Sequence, residues 1–138
     1  MRGVINLLAA ALLLAPLTAC GSSSSPTTPI NPTTETFTGT IAHAAGTTQT
    51  FNTTTSGTVT ATLTITAPLS TLQVGFVLGT WDATANTCQT VLVNTAATTG
   101  SQLMANASTK GTYCVYLYDV GNISADTPAS FSLSVTHP

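Results

Sequence analysis

The side chains of this 138-residue chain that can do acid–base, redox or metal chemistry are few enough to name. They are His43 and His137, the carboxylates Glu35, Asp82, Asp119 and Asp126, the cysteines Cys20, Cys88 and Cys114, and the bases Arg2 and Lys110. Nucleophilic catalysis needs a base near neutrality beside an activated hydroxyl or thiol, and only the two histidines qualify. No Gly-X-Ser-X-Gly elbow accompanies them, so neither an enzyme nor a cofactor is expected. His43 reads as an exposed loop residue and His137 as a side chain at a frayed terminus. Asp82, Asp119 and Asp126, with Asn86 and Asn122, fall between apolar runs and are weak calcium candidates, because Ca²⁺ takes several oxygen ligands. The same residue types populate turns by bonding their own backbone, and that reading is preferred. Trp81, Tyr116 and Tyr118 are the aromatic residues available for a binding surface, either for a sugar ring or for a protein anchor. The other reading has Trp81 covering one end of the fold and the tyrosines lining a sheet or its edge.

Charge removes a further class. Only 4% of residues are charged and the formal net charge is −2, whereas nucleic-acid binding draws much of its affinity from neutralised phosphates. No nucleic-acid partner is expected. Asn52-Thr53-Thr54, Asn106-Ala107-Ser108 and Asn122-Ile123-Ser124 match the N-glycosylation acceptor pattern, which arises by chance in a Thr-rich chain.

The N-terminus carries an address. Met1-Arg2 is followed by an apolar run from Val4 to Leu14, shorter than the roughly 20 residues of a membrane-spanning helix and fitting a secretory signal. Leu17-Thr18-Ala19-Cys20 then resembles the lipobox of bacterial lipoproteins. The resemblance implies cleavage after Ala19, a diacylglyceryl thioether on Cys20 and acylation of the new amino group. Two or more acyl chains hold a protein stably on its membrane. Gly21 stands where an aspartate signals inner-membrane retention, which favours the outer membrane of a bacterial envelope, with the domain periplasmic or surface-exposed. Residues 1–19 are thus read as signal peptide and 20–34 as a lipidated, disordered Ser/Thr/Pro-rich tether reaching at most about 45 Å.

In an exported setting Cys88 and Cys114 form an even pair, and a disulfide between them is expected to staple neighbouring strands. The alternative is a zinc site adding His43 and His137, against which stands the lack of paired ligand spacing.

The elements that must position these residues lie in 35–138. Val59-Thr60-Ala61-Thr62-Leu63-Thr64-Ile65-Thr66 alternates apolar and hydroxyl side chains, the period of a strand with one buried and one wet face. Leu72 to Leu78, with Gln73, Gly75 and Val77 outward, and Phe131 to Thr136 repeat it, and Tyr113, Val115 and Leu117 form an inward set. Shorter strands are expected at 37–41, 48–52, 89–94 and 101–106, giving about eight in all, with helix near zero. That pattern is the signature of an antiparallel sandwich or barrel, and wet faces consistently of Thr and Ser favour a two-sheet β-sandwich. With Lys110 the only lysine, its edges must be guarded by Pro68, Pro128, glycine irregularities or a partner.

Thr38-Gly39-Thr40-Ile41, Gly111-Thr112-Tyr113-Cys114-Val115-Tyr116-Leu117-Tyr118-Asp119 and Phe131-Ser132-Leu133-Ser134-Val135 resemble the bacterial pre-peptidase C-terminal domain. The resemblance covers nearly all of 35–138 and implies a jelly-roll-like sandwich serving as a non-catalytic accessory module, in some members binding polysaccharide, protein fibres or calcium. Leu72-Gln73-Val74-Gly75-Phe76 lacks the acidic segment of many members, and no catalytic domain adjoins. The expected function is a lipid-anchored envelope module for an extracytoplasmic protein or glycan partner. The alternative is a structural surface coat that self-associates.

Overall fold

Thr and Ser alternate with apolar residues along most of the chain, and in the computed structural model, which describes residues 31–138, each such run is a strand. The signal peptide, the lipobox with Cys20 and most of the tether lie outside the described residues. The eight strands are β1 (Thr33–Ile41), β2 (Gly46–Thr53), β3 (Gly57–Ala67), β4 (Val74–Asp82), β5 (Thr87–Ala97), β6 (Gln102–Ala107), β7 (Gly111–Tyr118) and β8 (Ala129–His137). None of the described residues is helical. β1 begins two residues inside the stretch read as tether: Thr34 pairs with Thr136, and their hydroxyl oxygens lie 2.9 Å apart.

The strands form two antiparallel four-stranded sheets in the orders β1-β8-β3-β6 and β2-β7-β4-β5. Every connection except the β4–β5 hairpin crosses from one sheet to the other, which is the winding of a jelly roll. Val59, Ala61, Leu63 and Ile65 of β3 and Phe131, Leu133 and Val135 of β8 are buried against Phe51, Phe76, Leu78, Val115 and Leu117 of the facing sheet. Period-two patterning therefore does its work here: one face of each strand closes the core and the other carries hydroxyls.

β4 departs from the pattern. Its residues Val74 to Leu78 are all buried, so the face expected to be wet at Gly75 and Val77 is covered, and Leu72 and Gln73 precede the strand. β4 is an interior strand whose outer side lies beneath side chains of its neighbours.

Register against β4 slips twice along β5, between Val74 and Phe76 and between Leu78 and Gly79. Such bulges twist an edge strand away from foreign pairing, and both slips fall at a glycine, Gly75 and Gly79. The opposite edge of that sheet, β2, keeps an unbroken register with β7.

The register also sorts the loops by end. The start of β1 shares one end with the β2–β3, β4–β5 and β6–β7 turns and with His137. The β1–β2, β3–β4, β5–β6 and β7–β8 connections gather at the other end.

Candidate functional site

The outer face of the β2-β7-β4-β5 sheet carries the aromatic residues. On β7, Tyr113, Val115 and Leu117 turn inward, which sends Cys114, Tyr116 and Tyr118 outward. Tyr118 stands opposite Gly46 of β2 and Gly75 of β4, and Tyr116 stands opposite Thr48 and Val77. The Tyr116 ring fills the space a side chain at Gly46 would take, and the Tyr118 ring does the same over Gly75. The two rings are near-parallel, 5.4 Å apart at 16°, and half-buried. Glycine on both flanking strands is what lets the rings settle against the backbone. Beside Tyr116, a shallow depression is lined by Thr48, Asn86, Thr87 and Cys88, which add hydroxyl and amide groups to the aromatic platform.

Trp81 does not join this pair. It lies opposite Cys88, at the level of β7 residue 112, so about 14 Å of strand separates it from Tyr116 and about 20 Å from Tyr118. It is half-buried.

Cys88 and Cys114 form the disulfide, with Cα atoms 5.7 Å apart. They do not staple neighbouring strands: Cys88 is on β5, Cys114 is on β7, and β4 runs between them. Gly79 makes the bridge possible. A side-chain carbon there would collide with the Gln89 carbonyl and press on the Cys88 sulfur, so β5 folds over the β4 backbone at that point. Closing this loop contributes about 3.5 kcal/mol on chain-entropy grounds. The pairing takes up both cysteines of the zinc alternative, and its histidines lie at opposite ends of the sandwich.

Two of the loop carboxylates, Asp82 and Asp119, are taken up by backbone amides. Asp82 accepts from the Thr84 and Ala85 amides at 2.9 and 3.0 Å, closing the β4–β5 turn. Asp119 accepts from Gly121, Asn122 and Ile123 through one oxygen, at 2.8 to 3.0 Å, and from Ala44 through the other at 2.8 Å. Burial raises the Asp119 pKa, but those four amides outweigh it and hold the carboxyl below its ordinary value. Asp126 lies further along the same loop, its amide bonded to the Ser124 hydroxyl. Among the described residues no three His, Cys, Asp or Glu side chains converge to hold a metal ion.

The two histidines differ sharply. His43 donates from Nδ1 to the Ile123 carbonyl at 2.7 Å and lies 3.5 Å from Asp119, so in the neutral ring Nε2 carries the lone pair; the side chain is 52% exposed. His137 is not frayed. It is 3% exposed, its Nε2 lies 2.9 Å from Glu35 Oε1, and its ring packs 5.2 Å from that of Phe51. Sequence reasoning missed this pair because Glu35 and His137 are 102 residues apart and meet only through the β1–β8 register. No family model matches the chain, and a search of curated proteins finds no relative.

Proposed function

We propose that this chain is a non-catalytic, lipid-anchored protein of a bacterial cell envelope whose sandwich acts as a binding or accessory module for an extracytoplasmic glycan or protein. The lipobox-like Leu17-Thr18-Ala19-Cys20 and the proline-punctuated segment after it support the anchor, and the residues resembling the pre-peptidase C-terminal domain support the accessory role. The observation that carries the binding reading is the stacked Tyr116–Tyr118 pair, seated over Gly46 and Gly75 and flanked by Thr48, Asn86 and Thr87. Flat aromatic rings beside hydroxyl and amide groups suit the apolar face and equatorial hydroxyls of a sugar, or an extended peptide. Trp81, about 14 Å of strand from Tyr116, is not part of the proposed platform.

The test is retention on peptidoglycan and cell-wall polysaccharide. Tyr116→Ala with Tyr118→Ala is expected to cut retention about tenfold or more, consistent with anchor residues worth ~1–3 kcal/mol each. Because the rings cover Gly46 and Gly75, the double variant is also expected to lower the melting temperature, so retention is compared at a temperature where both proteins are folded. Equal retention by the double variant would remove the site from consideration. Mass spectrometry of the mature N-terminal peptide tests the thioether on Cys20 separately.

A self-associating coat is the second reading. It is favoured by the hydroxyl-bearing outer face of the β1-β8-β3-β6 sheet and by the uncharged, unbroken edge at β2.

A further inference from the structure

A slot opens into the sandwich on the flank between β5 and β6. Its walls are Val59, Leu78, Ala105 and Tyr113, with Val91 on the β5 side, and none of its lining side chains is charged. Val91 is the residue left unpaired where β5 slips against β4, and it lines the slot. The cavity measures about 240 Å³, above the roughly 150 Å³ at which a dry apolar cavity already takes up benzene. Val91, at the mouth of the slot, is more than half exposed.

Two features indicate what would enter. The first is position. Val59 and Ala105 pair with each other at the level of Thr33 and His137, so the slot lies at the end where the tether joins, about 14 Å across the sheet from the start of β1. With Cys20 only 13 residues before Thr33, that end lies within about 45 Å of the lipid. The second is charge. Ser108 lines the slot, and Lys110, the chain's only lysine, follows two residues later in the β6–β7 turn.

We infer that the slot takes the aliphatic chain of a membrane-derived fatty acid, with the carboxylate lying toward Lys110. The membrane as source rests on the lipid-anchor reading; the slot and its chemistry do not. The test is calorimetric titration of dodecanoate and dodecanol, below micelle-forming concentrations, into the full chain carrying Cys20→Ser. Both ligands are expected to bind. Lys110→Gln weakens dodecanoate roughly two- to fivefold, the size of an exposed ion pair, and leaves dodecanol unchanged. Ala105→Leu fills the slot and abolishes binding of both. Val91→Phe, at an exposed position that leaves the fold intact, narrows the mouth and gives the same loss. Absence of binding by the parent chain, or binding that survives both Ala105→Leu and Val91→Phe, overturns the slot. An equal effect of Lys110→Gln on the two ligands overturns the fatty-acid assignment. An unmodified Cys20 in cells would instead remove the anchor and leave the titrations standing.

Discussion

Asp119 shows how one side chain can organise an end of the sandwich. Its carboxylate gathers amides from two connections, Ala44 of β1–β2 and Gly121 to Ile123 of β7–β8, and His43 closes the same knot through the Ile123 carbonyl. The sequence offered Asp119 both as a turn former and as a calcium ligand, and its acceptor capacity is taken up by backbone N–H groups. The folded pKa lies below the unfolded one, so the stability this group contributes is present above the unfolded value and is lost as pH falls through the folded value. Asp119→Asn is expected to lower stability by about 1 kcal/mol at neutral pH. The gap from wild type should close in acid, and a denaturant series across pH checks both. A turn propensity is local and therefore readable, whereas the Ala44 contact spans 75 residues and is not.

At the scale of elements, β3 and β8 were legible because their alternation reports a single buried face. β4 was legible as a strand but not in its surroundings: neighbours not adjacent in sequence cover Gly75 with the Tyr118 ring and Gly79 with the Gln89 backbone. The close approach at Gly79 ties the strand order to the disulfide. Gly79→Ala places a methyl against the Gln89 carbonyl, and the Cys88–Cys114 bridge keeps β5 from moving aside. A loss of roughly 2–3 kcal/mol is expected from such overpacking. Thermal melts of Gly79→Ala with and without reductant measure it, and relief of part of the loss on reduction would show that the bridge is what prevents accommodation. The cysteine pair itself was legible from its even count after Cys20; that it spans an intervening strand was not, since only the bend of β5 over β4 brings those Cα atoms to 5.7 Å.

For the whole molecule, the jelly-roll winding gives the sandwich two unlike ends. The described chain enters at the end that also holds the β4–β5 turn with Asn86, while the knot around Asp119 and Asn122 caps the far end, one strand length or about 30–35 Å away. If Cys20 is lipidated, a nitroxide at residue 86 should be relaxed by lipid-bound paramagnetic quencher more strongly than one at residue 122, and equal quenching would mean that the tether lets the domain tumble freely. Taken alone, the sequence determined the strands, the absence of helix among the described residues and the even cysteine pair, because each follows from side-chain period, β-branching or composition within a short stretch. Tertiary structure alone decided that Tyr116 stacks on Tyr118 with Trp81 about 14 Å of strand from Tyr116, that Glu35 meets His137, and that Val91, unpaired at a bulge, lines an apolar slot. Those outcomes depend on which strands become neighbours and in what register, and registry between distant segments is set by the closing of the common core.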